Sequence, residues 1–213
     1  MNKVLSEFDY YFFDLDGTLI NTEILYYRFW KEALNFYQYY PSHDFLLSLR
    51  SQDGRITKEQ LKELGLDYDL VKAKRIELMD DYLKTHPIEV KPFVEEFLQL
   101  LKKNNKHVYL VSANLARKSK KILSSLHLLE YFDDIFSAKD VSIGKPSPLI
   151  YKWASKQINV DPQKILVFED APNGIISAYE ANCQVIGVKD LGEYDLYKDK
   201  VLFFISSFEE MLI

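Results

Sequence analysis

The spacing of apolar positions changes along the chain, and the changes mark out its elements. Residues 8–14 (FDYYFFD) form a short aromatic run closed by Gly17, which predicts a buried strand. From Thr22 the period lengthens. Tyr26, Phe29, Trp30, Ala33 and Tyr37 fall on one side of a helix, with Arg28, Lys31, Glu32 and Asn35 on the other. Pro41, Gly54 and Gly65 interrupt the stretch beyond that helix, and residues 69–84 are again helical in composition, so residues 21–88 read as mostly helical with no convincing strand.

After His86-Pro87 helices and strands alternate. Pro92 suits a first helical turn, and Val94, Phe97, Leu98 and Leu101 keep one face until Asn104-Asn105 ends that helix. Strands are predicted over 108–111, 134–137, 165–168, 185–188 and 201–205, with helices over 117–126, from Pro148, and over 174–181 between them. Parallel neighbours need crossovers, so this order implies an α/β fold with a parallel sheet covered on both faces.

Length sharpens this picture. The chain has 213 residues, roughly 1.4 ordinary domains. One domain carrying a sizeable helical insertion fits that fraction. With 47% hydrophobic and 28% charged residues the composition is that of a globular protein. A net charge of −5 argues against nucleic acid or an anionic membrane as the main partner. No segment approaches the roughly 20 apolar residues of a membrane span, and residues 1–11 lack the pattern of a secretory signal. The single cysteine, Cys183, fits a reducing compartment and reads as a small buried apolar residue, so a cytoplasmic protein is expected, and a monomer. The 15 tyrosines and 14 phenylalanines read mainly as core. His43, His86, His107 and His127 are scattered without ligand spacing.

Ligands of an open parallel sheet bind beyond the carboxyl ends of its strands. The predicted strands end in Asp14-Leu15-Asp16-Gly17-Thr18, in Ser112-Ala113-Asn114 and in Glu169-Asp170, while Gly144-Lys145-Pro146 precedes the helix from Pro148. Asp14 and Asp16, two apart, can point to one side of an extended chain. Four acids at one edge repel unless a divalent cation neutralises them. All-oxygen ligands favour a hard ion, and Mg²⁺ suits Asp14, the Asp16 carbonyl and Asp170, with Glu169 as a ligand or just behind it. Lys145, Ser112 and the backbone N–H groups of Ala113 and Asn114 suit phosphate oxygens.

DLDGT, VSAN, GKPSP and FEDAPNG, in that order, resemble the haloacid dehalogenase superfamily, within it the phosphatases and β-phosphoglucomutases that carry a helical cap. The resemblance implies a Rossmann-like core of residues 1–20 and 89–213 and a cap of residues 21–88. It makes Asp14 the nucleophile that forms an aspartyl-phosphate, and Asp16 the acid that protonates the leaving oxygen and then activates water. The mutases carry a histidine where this chain has Tyr26, and the usual Gly-led substrate loop is here Ser48-Leu49-Arg50-Ser51-Gln52. The expected activity is Mg²⁺-dependent hydrolysis of a small phosphorylated metabolite, of sugar phosphate or phosphoglycolate type. The alternatives are a β-phosphoglucomutase-type isomerase and a non-catalytic sensor of phosphorylated metabolites. Arg50, Arg55 and Tyr26 are the cap's candidates for touching substrate, although base rate makes Arg50, Arg55, Lys74 and Arg75 solvated charges.

Overall fold

The computed structural model describes residues 6–50, 52–192 and 194–213; Ser51 of the substrate-loop motif and the first five residues lie outside them. Strand β1 (Tyr10–Phe13) is the middle of a six-stranded sheet. The others are β2 (His107–Ser112), β3 (Asp134–Ser137), β4 (Ile165–Glu169), β5 (Gln184–Val188) and β6 (Phe203–Ile205). Every pairing is parallel, and the order is β3-β2-β1-β4-β5-β6. The chain runs outward from β1 through β2 to β3, then returns to the other side of β1 to start β4. That reversal is the switch point at which a crevice opens beyond the strand ends.

Between the strands lie α5 (Val94–Lys103), α6 (Ala116–Ser125), α7 (Leu149–Gln157) and α8 (Pro172–Glu180). Because side chains alternate along β1, its aromatic run feeds both faces of the sheet. Phe13 packs with Phe97, Phe168 and Phe208 on one face, stacking on Phe168 at 4.8 Å between centroids. Phe12 packs with Tyr151, Val111 and Val167 on the other. Much of the aromatic excess is therefore core. Cys183 is buried in this second layer.

The expected elements are all present, with shifted ends. β1 is shorter than residues 8–14. Pro92 precedes the helix rather than opening it, because Phe93 adopts a left-handed conformation and α5 starts at Val94. Helix α8 starts earlier than expected, since Pro172, whose missing N–H costs nothing in a first turn, begins it. The strand expected over 201–205 is confined to Phe203–Ile205.

Four helices lie between β1 and α5: α1 (Glu23–Phe36), α2 (His43–Ser48), α3 (Gly54–Glu63) and α4 (Tyr68–Leu83). The starts of the last three are written in the sequence. Ser42, Asp53 and Asp67 each accept a hydrogen bond from a backbone N–H of the turn they precede. The helices bury Ala33, Leu34, Leu46, Leu49, Leu61 and Val71 in a cluster of their own. The chain leaves the sheet and returns to it side by side: Asn21 N–H donates to Glu89 O (2.9 Å) and Lys91 N–H to Leu19 O (2.9 Å). Among the described residues, no helix is long and apolar enough to cross a membrane.

Candidate active site

Asp14 follows β1 directly, and its N–H continues the ladder by donating to Phe168 O (3.0 Å). Glu169 ends β4, Asp170 follows it, and Ser112 ends β2. The sheet therefore sets these groups at one edge. Carboxylate oxygens of Asp14, Glu169 and Asp170 lie within 4.8 Å of one another, all three residues buried. Lys145 reaches the cluster from the loop before α7, and its Nζ donates to Asp14 Oδ1 (2.6 Å), to Glu169 Oε1 and to Val111 O (3.2 Å). Tyr151 of α7 adds its hydroxyl to Glu169 Oε1 (2.7 Å).

Burial governs the electrostatics. It pushes the Asp14 carboxyl well above the usual range, with Lys145 pulling it down and Glu169 and Asp170 raising it further. Burial likewise lifts Asp170 to about 7, against the pull of Arg50. For Lys145 burial disfavours the ammonium, but Asp14 and Glu169 outweigh it and the group stays firmly charged. Lys145 thus serves Asp14 and Glu169, and Asp170 pairs with the Arg50 guanidinium. Glu169 Oε2 is buried without any hydrogen-bond partner, and such an oxygen is costly unless something positive or a donor meets it. The donor set, three carboxylates and no nitrogen or sulfur, fits a hard divalent ion such as Mg²⁺.

Gly17 and Gly174 make the room. A side chain on Gly17 would collide with the Asp170 carboxylate, and one on Gly174 with the Glu169 carboxylate. Gly17 also has φ +79°, a left-handed conformation that glycine adopts freely. Thr18 Oγ1 then donates to Asp170 Oδ1 (3.0 Å).

Asp16 faces the cavity instead. Its Oδ1 accepts from Thr22 Oγ1 (2.6 Å) and its Oδ2 from Asn114 Nδ2. Ser112 is buried, and its Oγ accepts the Asn114 N–H (3.1 Å). Lys118 of α6 donates to Tyr26 OH (2.9 Å) and to Asn114 Oδ1 (3.3 Å). Asp16, Tyr26, Asn114 and Lys118, with Ala113, line a cavity of about 220 Å³ between the sheet edge and the four helices.

The helices contribute the other wall, and two of the arginines expected to be solvated are buried in it. Arg50 is buried, not solvated: its Nε donates to Glu23 Oε2 (3.0 Å), one terminal nitrogen to Asp170 Oδ2 and the other to Leu191 O. Arg75 is also buried, and lines the cavity. Arg55 is exposed as base rate predicts, but as a substrate candidate it is misplaced. Its guanidinium is held by Asp53 and by Ser142 O, outside the cavity lining. Lys74 pairs with Glu77 (2.8 Å). Tyr26 lines the cavity.

Glu23, Thr18, Thr22, Lys118 and Arg75 are absent from the sequence-derived candidates. Glu23 had a signal, since it sits three residues before Tyr26 and close behind the DLDGT run. Burial lifts its carboxyl to about 8, with Asp170 adding to the effect and Arg50 opposing it. Arg75 had none, because nothing in a helix's composition tells a buried arginine from a solvated one.

Residues 11–188 match the model of the haloacid dehalogenase-like hydrolases. The chain belongs to this family. The hydrolase is 32% identical over 184 residues to validoxylamine A 7'-phosphate phosphatase of Streptomyces hygroscopicus subsp. limoneus, a match covering 83% of each chain. It is 27% identical over 177 residues to phosphorylated carbohydrates phosphatase of Thermotoga maritima, covering 82% of each. Among solved structures it is similar to a hydrolase from Pseudomonas syringae, with a TM-score of 0.81, 23% identity and 96% of each chain covered. That likeness fixes the α/β fold of the six-stranded core.

Proposed function

We propose that this hydrolase is a Mg²⁺-dependent phosphatase of small phosphorylated sugar-like metabolites, working through an aspartyl-phosphate on Asp14. The observation that carries the reading is a buried carboxylate, Asp14, held by a buried ammonium, Lys145, beside two further acids. Its relatives include enzymes named for a carbohydrate phosphate and for validoxylamine A 7'-phosphate.

Asp14, Glu169 and Asp170 are the residues to hold the ion, which when bound supplies positive charge against the phosphoryl oxygens. Lys145 holds Asp14 Oδ1, leaving Oδ2 to attack phosphorus. As the bond from phosphorus to the ester oxygen breaks, Asp16 gives its proton to the departing oxygen. In the second step water attacks the phosphoryl group and passes a proton to Asp16. The Asp14–phosphorus bond then breaks and inorganic phosphate leaves. Thr22 and Asn114 hold both Asp16 oxygens, which fixes its aim through both steps. Residues 21–88 act as the cap, and their closure keeps bulk water from the acyl-phosphate until the leaving group has gone.

The test is a phosphate-ester panel with and without Mg²⁺. Wild-type protein should release phosphate only with the ion, and Asp14→Asn should lower turnover by at least about 10³-fold. Unchanged turnover in that variant overturns the nucleophile assignment.

A further inference from the structure

Arg75 is the buried cation that the chemistry above does not use. It lies on α4, and only 8% of it is exposed. Its guanidinium sits 5.0 Å from the ring centroids of both Tyr26 and Trp30. Its Nε has no hydrogen-bond partner, and among the described residues no carboxylate pairs with it. The contrast with Arg50, which is satisfied by two carboxylates and a carbonyl, is direct. A buried arginine with an idle N–H is expensive. Two aromatic faces and a hydrogen bond to the Tyr26 hydroxyl offset part of that cost but leave the Nε–H unmet.

Lys72 lies one turn before Arg75 on α4, so both occupy one helix face, and both line the cavity. Lys72 likewise has no ion pair among the described residues; its Nζ lies 5.2 Å from the Tyr68 ring centroid. The other two cations of the lining are engaged, Arg50 by Glu23 and Asp170, and Lys118 by Tyr26 and Asn114. Of the lining acids, Asp14 and Asp16 stand at the sheet edge and Glu23 of α1 is taken by Arg50, while Trp30, Gln52, Thr57 and Tyr68 beside Lys72 and Arg75 supply hydroxyl, amide and ring groups and no acid. Positive charge without a counter-ion is therefore confined to the helical wall.

We infer that Arg75 and Lys72 bind a second anionic group of the substrate, a carboxylate or a second phosphate, remote from the phosphate that reacts at Asp14. The inference rests on the phosphatase reading and narrows its substrate class to small compounds anionic at both ends. The cavity, about 220 Å³, is below the usual range for drug-sized ligands and admits only a short spacer.

Matched pairs test it. Glycerol 3-phosphate against 3-phosphoglycerate, and sorbitol 6-phosphate against 6-phosphogluconate, differ only in a terminal CH₂OH against a carboxylate. Fructose 6-phosphate against fructose 1,6-bisphosphate tests a second phosphate. Within at least one pair the doubly anionic compound should have a kcat/KM about 10-fold or more higher. Arg75→Gln and Lys72→Gln should remove that advantage through KM while leaving the neutral-ended partner within about twofold. Arg75→Lys, which keeps the charge, should retain part of it. Equal or faster turnover of the neutral-ended member in all three pairs overturns the inference, as does a variant that slows both members alike. Should Arg75→Gln fail to fold, the half-buried Lys72 carries the test. Calorimetric binding of the same pairs to Asp14→Asn separates the two readings. No turnover of any compound by the wild type counts against the phosphatase, while tighter binding of the doubly anionic members supports the clamp and equal binding overturns it.

Discussion

At the scale of single residues, the site depends on atoms that are missing as much as on those present. Gly17 lets the Asp170 carboxylate lie against the backbone, and its positive φ disfavours any side chain. Gly17→Ala should cost stability through the left-handed conformation alone, by about 1–2 kcal/mol, and should also displace Asp170. Isothermal titration with Mg²⁺ should therefore show weaker binding than wild type by at least about 10-fold. Retained affinity together with retained stability would show that the loop absorbs the methyl group. Lys145 illustrates the opposite case, a lysine whose loop position suggests solvent but whose three acceptors and complete burial make it part of the core.

Between elements, one of the contacts that join the helices to the core runs through Asp53. It caps α3 through the Arg55 N–H (2.9 Å), accepts the Gly144 N–H (2.7 Å), and its own N–H donates to Lys145 O (3.0 Å). The start of one helix is thus fastened to the loop that carries the site lysine. The Arg55 side chain is the main reason the Asp53 carboxyl lies well below its ordinary range, and the two backbone N–H groups add to it against the cost of burial. A lowered folded pKa means that Asp53 contributes stability above about pH 4 and loses it as the pH falls through the folded value. Asp53→Ala should cost about 0.5–2 kcal/mol at pH 7 by urea denaturation. The difference from wild type should shrink steadily below about pH 4; a difference independent of pH would assign the effect to packing. Two of the histidines stack on tyrosines, His86 on Tyr82 (4.0 Å) and His107 on Tyr10 (5.0 Å), and His43 shares a hydrogen bond with the Tyr27 hydroxyl (2.9 Å).

For the whole molecule, gathering three buried carboxylates within 4.8 Å of one another, with Lys145 on two of them and Arg50 on the third, sets function against stability. Like charges in a desolvated site oppose folding, and a bound cation that sees only the folded state relieves them. Thermal unfolding should therefore shift upward with Mg²⁺, the gain reaching about 2.7 kcal/mol when the ion is at 100 times its dissociation constant. Asp170→Asn should blunt that shift. An equal shift in the variant, or none in the wild type, would remove the ion from the site.

Much of this architecture was legible in the sequence. Alternating periods named the strands and helices, because burial on both faces of a parallel sheet demands continuous apolar runs such as Tyr10–Phe13 and crossover helices demand a striped face. Polar residues at strand ends named Asp14, Asp16, Ser112, Glu169 and Asp170, since the parallel topology gathers those ends at one edge. Element boundaries were less legible, because Phe93 and Pro172 settle them through local dihedrals. The tertiary structure alone decided which charges are buried. Arg50, Arg55, Lys74 and Arg75 look alike as helix-region cations, yet two enter the cavity wall and two do not. That choice depends on how the helices pack over the sheet edge, a matter of long-range contact and desolvation that no local pattern along the chain encodes.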